Sequence, residues 1–322
     1  MKILITGGAG FIGSNLTDAL VQDDRVSRVI VLDNLETGSF SNIEHLQGNP
    51  KFQFVKGDIR DFATCERISK GVDIIAHQAA LGSVPRSIAD PLTTNDVNIT
   101  GTLNIFNAAR INQIKRVVYA ASSSTYGDHP GLPKTEDRIG SPISPYGVTK
   151  LVNELYAKIF GGLYDMEMIG LRYFNVYGPR QNPKGPYAAV IPLFIRSFIN
   201  DSQPVINGTG EHSRDFTFVE DVVQANMLAL FTHQKEAVNQ VYNIAKGERT
   251  TLNNLITLLQ EITGKSIHSK HGPERKGDVL HSHADISKAS RLLGYHPGTS
   301  IATGLKKTYQ WYEQNSLIFT NE

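Results

Sequence analysis

The stretch Thr6-Gly7-Gly8-Ala9-Gly10-Phe11-Ile12-Gly13 decides how the first part of this chain folds. It follows an apolar run over 2–6, which is typical of a buried strand, and it opens a helical pattern over 12–22. The glycine pattern begins at either Gly7 or Gly8 and continues through Gly10 and Gly13, which permits a tight turn and a close approach of the backbone to a phosphate group. A glycine turn between a strand and a helix N-terminus predicts a dinucleotide-binding unit.

Alternating strand and helix patterns continue through the first half of the chain. Short β-branched runs predict strands over 2–6, 28–32, 52–55, 72–76, 115–121 and 167–173. Helical patterns fall near 12–22, 61–70, 96–111 and 144–161. This alternation predicts an α/β fold of the Rossmann type, with right-handed crossovers and a doubly wound parallel sheet.

The pattern changes after Gly178-Pro179-Arg180, where proline and glycine interrupt the helices and strands. Further helical patterns fall at 219–233, 251–263 and 300–313. Residues 241–244 form one more apolar run, so we expect the segment of about 217–246 to return to the first sheet. The sequence predicts a dinucleotide-binding domain over 1–175 and a smaller mixed α/β substrate lobe over 176–322.

Composition and charge argue against several classes of function. The 322 residues carry a formal net charge of +1 and no basic run longer than two residues, so we expect no nucleic-acid partner. No apolar stretch approaches the ~20 residues that span a bilayer, and no export leader precedes the first strand, so we expect a cytoplasmic protein without a membrane partner. A single cysteine and histidines without carboxylate partners predict no metal site, and we expect Cys65 and His77 to be core residues.

Acidic and small residues follow the predicted strands at the positions where a dinucleotide would lie. Asp33 stands twenty residues past Gly13, where a carboxylate accepts hydrogen bonds from the adenosine ribose. No Lys or Arg occurs between Asp33 and Lys51 to receive a 2′-phosphate, which favours NAD over NADP. Asp58-Ile59 and Gln78-Ala79-Ala80 end the next two strands and are expected beside the same ligand.

Tyr146 and Lys150 open a helical pattern and share one face at a spacing of four residues. An ammonium beside a phenol favours the phenolate, so we expect Lys150, assisted by a positively charged nicotinamide, to lower the pKa of Tyr146 from its usual value of about 10. Tyr146 would then act as a general base toward a substrate hydroxyl.

The serine run Ser122-Ser123-Ser124-Thr125-Tyr126-Gly127 follows the strand predicted over 115–121. Together with the glycine turn, Asp33, Asp58, Tyr146, Lys150 and the stretch 171–178, it resembles the extended short-chain dehydrogenases/reductases that act on nucleotide sugars, over essentially the whole chain. The resemblance implies that Ser122 hydrogen-bonds the reacting oxygen and helps to move its proton. The family's dehydratases and decarboxylases carry acidic residues just after that position, where this chain has Ser123 and Ser124, so the resemblance implies epimerisation.

The resemblance also extends to the substrate lobe. Arg214 and Arg275 would grip a diphosphate, Asn175 would touch the sugar or the diphosphate, and the segment 190–193 would meet the uracil. Ser282 is small where UDP-galactose 4-epimerases that reject N-acetyl sugars carry a bulky tyrosine. The runs 82–87 and 120–133 are similar to bacterial UDP-N-acetylglucosamine 4-epimerases of surface-polysaccharide pathways.

The sequence and the resemblance together imply two sets of contacts. The expected cofactor contacts are Gly7, Gly10, Phe11, Ile12, Gly13, Asp33, Asn34, Asp58, Ile59, Gln78, Ala79, Ala80, Asn98, Tyr146, Lys150 and Tyr173. The expected substrate contacts are Gly82, Ser83, Ser122, Ser123, Ser124, Asn175, Val190, Pro192, Asn207, Arg214, Arg275, Asp278 and Ser282. The resemblance further implies a homodimer built on the helices near 96–111 and 144–161.

Four functions remain open at this point. The favoured one is NAD-dependent 4-epimerisation of a UDP-hexose, with UDP-N-acetylhexosamines as the expected substrates. A UDP-glucose or UDP-hexuronate 4-epimerase or decarboxylase, a net dehydrogenase or reductase, and a non-catalytic NAD-binding interaction protein are the alternatives.

Overall fold

The computed structural model describes residues 1–183, 188–273 and 281–316. The strands are β1 (Lys2–Thr6), β2 (Arg28–Asp33), β3 (Phe52–Lys56), β4 (Ile74–His77), β5 (Arg116–Ser122), β6 (Glu167–Tyr173), β7 (Val176–Tyr177), β8 (Val205–Asn207), β9 (Ser213–Arg214), β10 (Thr217–Phe218), β11 (Gln240–Ile244), β12 (Thr250–Thr251) and β13 (Lys270–Gly272). The helices are α1 (Phe11–Gln22), α2 (Phe62–Ile68), α3 (Val84–Ala89), α4 (Pro91–Asn95), α5 (Thr102–Ile111), α6 (Pro145–Tyr164), α7 (Val190–Ile199), α8 (Val219–Phe231), α9 (Leu252–Thr263), α10 (Ser287–Leu293) and α11 (Ile301–Gln314). A π-helical segment, Asp96–Gly101, joins α4 to α5.

Seven strands form one parallel sheet in the order β11-β6-β5-β4-β1-β2-β3. The predicted α/β fold with a doubly wound parallel sheet is therefore confirmed. The strand order reverses beside β1, which has β2 on one side and β4 on the other. Open α/β sheets bind ligands at such a switch point, just beyond the carboxyl ends of the strands.

Apolar residues fill both faces of the sheet. On one face α1 and α8 pack together through residues such as Leu16, Leu20 and Ala225, and on the other face α5 and α6 meet through Phe106 and Phe160. Cys65, on α2, is fully buried in the second of these cores, which confirms that it is a core residue.

The chain returns to this sheet after entering the second lobe. β11 pairs in parallel with β6, and α8 packs on α1. The later helix α10 also joins the first core through Ala289 and Leu293, although no sequence pattern indicated that return.

The second lobe has its own core, in which α7, α9 and α11 enclose aromatic residues such as Phe198, Phe216 and Phe218. Short two-stranded pairs, β8 with β13 and β9 with β12, lie at its edges. Within the described residues, none of the helices combines the length and apolar character needed to cross a membrane.

Candidate active site

A cavity of about 560 Å³ opens where the strand order of the sheet reverses. Every expected cofactor contact except Asn98 lines this cavity. The residues that the structure brings together there are Gly7, Gly10, Phe11, Ile12, Gly13, Asp33, Asn34, Asp58, Ile59, Gln78, Ala79, Ala80, Tyr146, Lys150 and Tyr173. The cavity thus runs from the acidic ends of β2 and β3 to the tyrosine and lysine of α6.

The glycine turn leaves no room for side chains against its neighbours. Gly7 has a φ of +71°, and a Cβ there would lie 2.6 Å from the backbone nitrogen of Ala79. A Cβ on Gly13 would lie 2.1 Å from the carbonyl oxygen of Gly7. Gly8 does not line the cavity and packs against Val31 instead, so the functional pattern begins at Gly7. A bare backbone turn at a helix N-terminus fits a pyrophosphate.

Two carboxylates at the far end of the cavity have different surroundings. Asp33 accepts hydrogen bonds from the backbone N–H groups of Ala9, at 2.9 Å, and Leu35, at 2.8 Å, and its burial raises its pKa. Asp58 pairs with the Arg60 guanidinium, which lowers the pKa of Asp58 to about 2. Through its hydrogen bond to Ala9, Asp33 stabilises the glycine turn. Its position in the sequence does not reveal this role.

Asn98 lies behind the cavity and does not line it. Its Oδ1 accepts from the N–H of Leu81 at 2.8 Å, and its Nδ2 donates to the carbonyl of Leu81 and to the hydroxyl of Thr149. Because its amide is engaged in this way and is fully buried, Asn98 positions the loop after β4 against α6, in place of the expected cofactor contact.

Ser122, Tyr146 and Lys150 meet at one wall of the cavity. Ser122 ends β5, and α6 begins beside it with Ser144 as N-cap, whose hydroxyl accepts from the N–H of Gly147. The Nζ of Lys150 donates to the carbonyl oxygen of Ala120 at 2.8 Å and lies 5.9 Å from the centre of the Tyr146 ring. The three side chains therefore form a compact acid–base set.

Burial shifts the pKa values at this wall. Burial raises the pKa of Tyr146, an effect that the Ser122 hydroxyl partly offsets. Burial also lowers the pKa of Lys150 to about 8, although the charge of Glu154 opposes this change. Desolvation penalises both charged forms in the protein alone, and the expected lowering of the Tyr146 pKa by Lys150 and a positively charged nicotinamide stays a prediction for the cofactor-bound enzyme.

A second cavity, of about 810 Å³, adjoins the first and shares Ser83, Asn175 and Val176 with it. The expected substrate contacts that line this second cavity are Ser83, Asn175, Val190, Asn207 and Arg214, while Gly82 and Ser122 line the first. Ser122, Tyr146 and Lys150 line only the first cavity, which is joined to the second through the shared residues Ser83, Asn175 and Val176.

Four other expected substrate contacts lie just outside the cavity lining. Ser123 and Ser124 form a half-buried 3₁₀ turn, in which the N–H of Ser124 donates to the hydroxyl of Ser122. Pro192 is buried within α7, and Ser282 accepts a hydrogen bond at 3.3 Å from the amide of Asn175. Arg275 and Asp278 lie outside the described residues.

Asp215 forms a junction behind Arg214. Its fully buried carboxylate accepts from the backbone N–H groups of Lys246, Gly247 and Ala284, at distances from 2.9 to 3.2 Å. Burial raises its pKa to about 6, and these N–H donors oppose that rise. Asp215 therefore holds the segment that carries Ser282 against the strand that carries Arg214.

Sequence reasoning missed several polar residues of the site. Arg196 and His212 line the second cavity, but single polar residues in a helix or a loop carry no pattern that distinguishes them from surface residues. Gln78 was expected to contact the cofactor, and its amide also joins Tyr173 and Asn226 in a hydrogen-bonded triad. This triad links residues that are far apart in the chain, so no local pattern predicts it.

His77 takes no part in the acid–base set. Its ring nitrogens bond to the hydroxyls of Thr6 and Thr102, and burial lowers its pKa to about 3, so it is a neutral core residue as expected. Among residues 1–183, 188–273 and 281–316, no cluster of three or more His, Cys, Asp or Glu side chains is arranged to hold a metal ion.

A Rossmann sheet, a bare glycine turn and a Ser-Tyr-Lys wall together define a dinucleotide-dependent enzyme of the short-chain dehydrogenase/reductase type. A model of the NAD dependent epimerase/dehydratase family matches residues 3–245. The chain belongs to this family, and its cofactor is NAD.

Relatives and solved structures resemble the chain over nearly its whole length. A putative UDP-glucose 4-epimerase of Methanocaldococcus jannaschii is 40% identical over 98% of this chain and 99% of its own length. The structure of a UDP-N-acetylglucosamine 4-epimerase from Methanobrevibacter ruminantium, in complex with UDP-N-acetylmuramic acid, has a TM-score of 0.91 and 39% identity over 98% of both chains. A UDP-glucuronic acid 4-epimerase from Bacillus cereus, in complex with UDP-glucuronic acid and NAD, has a TM-score of 0.90 and 33% identity over 98% of this chain and all of that one.

Proposed function

We propose that this protein is a UDP-sugar 4-epimerase whose preferred substrates are UDP-N-acetylglucosamine and UDP-N-acetylgalactosamine. The observation that carries the proposal is that Ser122, Tyr146 and Lys150 together line the dinucleotide cavity, which adjoins a second cavity through Ser83, Asn175 and Val176. A hydroxyl-bearing ring that extends from the second cavity would bring its reacting carbon to this wall. The relatives that carry out 4-epimerisation on UDP-sugars support the reaction class.

The charges around the second cavity favour epimerisation over elimination or decarboxylation. No Asp or Glu belongs to the lining that the structure describes there, and Ser123 and Ser124 occupy the positions of the acidic residues that those reactions require. The acid–base groups of the adjoining catalytic wall are Ser122, Tyr146 and Lys150. Such a set is sufficient to remove one hydroxyl proton and return it.

The side chains have distinct roles in this mechanism. NAD, when bound, supplies the hydride acceptor and the positive charge of its oxidised ring. Tyr146 takes the proton of the sugar 4-hydroxyl, the hydroxyl of Ser122 bridges the two oxygens, and the Lys150 ammonium stabilises the phenolate. After the 4-keto sugar has rotated in the site, C4 would regain the hydride on its opposite face and Tyr146 would return the proton, so that only the configuration at C4 has changed.

The second cavity suits a nucleoside diphosphate. Arg214 provides a guanidinium for the diphosphate, and Val190 and Asn207 lie along the wall that would meet the uracil. Ser282, whose hydroxyl accepts from the amide of Asn175, is small where the resemblance implies a tyrosine in epimerases that reject N-acetyl sugars, which supports an N-acetylated sugar. We place the reaction in the cytoplasm, where it would supply precursors for surface polysaccharides.

The test is to incubate the protein separately with UDP-N-acetylglucosamine, UDP-glucose and UDP-glucuronic acid and to resolve the C4 epimers by NMR. We expect turnover of the N-acetylated pair to be the fastest. Tyr146→Phe should lose activity by orders of magnitude while UDP binding, measured by calorimetry, stays close to that of the wild type. Fastest turnover of the glucuronate would transfer the assignment to that substrate, and no epimer of any kind would refute the reaction.

We further propose a homodimer. α6 leaves an apolar stripe exposed, with Leu155 at 56%, Ile159 at 52% and Leu163 at 70% exposure. These residues are spaced by four and so share one face of the helix. A second copy of the same face, packed by a two-fold axis, would cover them.

A further inference from the structure

A buried ion pair lies behind the catalytic wall. Glu154 on α6 and Arg172 on β6 form two hydrogen bonds, Nε to Oε1 at 2.9 Å and Nη2 to Oε2 at 2.7 Å. Their side chains are only 8% and 4% exposed. The desolvation of two such charges generally offsets the attraction between them, so a contribution to stability is a poor reason for the pair.

The pair is placed against the acid–base set. Glu154 follows Lys150 by four residues on the same face of α6, and Tyr146 precedes Lys150 by the same spacing. Arg172 on β6 pairs with Ala121 on β5, the residue between Ala120 and Ser122. The carbonyl of Ala120 is the group to which Lys150 donates.

A buried ammonium and a carboxylate four residues apart on one helix attract each other strongly. In this structure Lys150 donates to the carbonyl of Ala120, while Arg172 binds both carboxylate oxygens of Glu154. Arg172 is itself fixed by a third bond, to the carbonyl of Glu136 at 3.1 Å, and by the Tyr126 ring, whose centre lies 4.8 Å from its guanidinium carbon.

We propose that Glu154 and Arg172 are positioning residues for Lys150. Arg172 prevents Glu154 from drawing the ammonium away from Tyr146, and Glu154 provides the nearby negative charge that keeps Lys150 protonated. The inference rests on the roles proposed above for Tyr146 and Lys150.

Several ionisable groups around this cluster are neutral at pH 7. They are Tyr146 on α6, His77 on β4, Tyr119 on β5, Tyr173 on β6 and Tyr126 after β5, because burial raises the pKa of each tyrosine and lowers that of His77 to about 3. Glu136, whose pKa burial raises, and Lys288, whose pKa burial lowers, both interact with the charge of Arg172. Glu154 is the charge that opposes the lowering of the Lys150 pKa by burial.

The first test is a suppression experiment. Arg172→Met releases Glu154, which should then capture Lys150 and reduce kcat about 100-fold, the loss typical of a small misplacement at a catalytic centre. Adding Glu154→Gln removes the competing carboxylate, so the double variant should recover most of this loss with little change in KM. Activity is expressed per folded protein, measured by circular dichroism and bound NAD.

The second test measures the charge of Lys150 without turnover. An NMR titration of isotope-labelled lysines, with the Lys150 signal assigned through Lys150→Arg, should give a pKa near 8 in the wild type and a lower one in Glu154→Gln. The alkaline limb of the pH–rate profile should move to lower pH in the same variant, because Lys150 then loses its proton earlier.

Arg116 and Glu167 supply a matched control, since this ion pair joins the same two strands at their other end with an N–O distance of 2.6 Å. Arg116→Met should leave kcat and both pKa measurements unchanged. The proposal is overturned if a folded, NAD-loaded double variant is as inactive as Arg172→Met, or if Glu154→Gln leaves the Lys150 titration in place. A wild-type protein inactive on every UDP-sugar would instead defeat the proposed function, and the titration would still report on the pair.

Discussion

Gly7 and Gly71 provide a controlled test of the glycine turn. Both have left-handed backbones, with φ of +71° and +69°, so an alanine at either position is strained by roughly 1–2 kcal/mol. They differ in their surroundings. A Cβ on Gly7 would lie 2.6 and 2.7 Å from backbone atoms of Ala79, whereas a Cβ on Gly71 would meet nothing within 4 Å.

The collision at Gly7 adds an overpacking term of about 1–3 kcal/mol, because backbone atoms at the end of β4 cannot rotate away. Gly7→Ala should therefore lose about 2–5 kcal/mol of unfolding free energy, against about 1–2 for Gly71→Ala. Both Gly7 and Ala79 line the cofactor cavity, and Gly71 does not. The turn must shift to relieve this collision. If the shift costs the NAD complex only about 1.4 kcal/mol of binding free energy, NAD affinity falls about tenfold.

Urea unfolding and calorimetric NAD titration of the two variants measure these effects separately. We expect Gly71→Ala to bind NAD like the wild type and Gly7→Ala to bind it at least about tenfold more weakly. Equal NAD affinity in the two variants would show that the close approach of the turn to Ala79 is not what shapes the pyrophosphate site.

Three further predictions concern stability, assembly and substrate binding. The pKa of His77 is about 3 in the folded protein, against 6.5 for an ordinary histidine in the unfolded chain. Because the unfolded chain binds a proton at His77 more readily than the folded protein does, the free energy of unfolding decreases as pH falls below 6.5. Between pH 7 and pH 5 His77 contributes a loss of about 2 kcal/mol, and the measurement is the difference between the wild type and His77→Gln in urea unfolding at the two pH values, since other groups such as Asp215 titrate in both proteins. Ile159→Lys should convert a dimer to a monomer in light scattering, whereas an unchanged mass would place the interface elsewhere. Asp215→Asn removes one carboxylate acceptor from the junction behind Arg214, so KM for UDP-sugars should rise while NAD affinity stays constant, and calorimetry with UDP and with NAD distinguishes the two.

Local patterns were sufficient to predict the sheet and the cofactor cavity. A strand followed by a glycine turn and a helix has few packing solutions, and a parallel sheet places the ends of β2, β3 and β4 beside that turn. Asp33, Asp58 and Gln78 were therefore located by their positions at strand ends. Asn98 was expected as a cofactor contact from the resemblance, but a sequence does not reveal whether a polar amide faces the ligand or the neighbouring backbone, and here it bonds to Leu81 and Thr149.

The second lobe was less predictable because its contacts join distant segments. Asp215 holds segments near residues 246 and 284, and α10 returns to the first core across more than forty residues from β11. No periodicity within a segment encodes such a junction. Arg196 and His212 line the second cavity because long-range contacts bring their segments together. Their place in the site could therefore not be predicted from local sequence patterns.

The acid–base wall shows which contribution to a pKa a motif predicts and which contribution it leaves out. The four-residue spacing of Tyr146 and Lys150 establishes that the ammonium and the phenol are neighbours, and attraction between their charged forms would lower the tyrosine pKa. Spacing carries no information about burial, which here raises the pKa of Tyr146 and lowers that of Lys150 to about 8. Each shift disfavours the phenolate–ammonium pair in the protein alone, so additional positive charge beside Tyr146 and negative charge beside Lys150 are needed to form it. The oxidised cofactor supplies the first when it binds, and Glu154, held in place by Arg172, supplies the second.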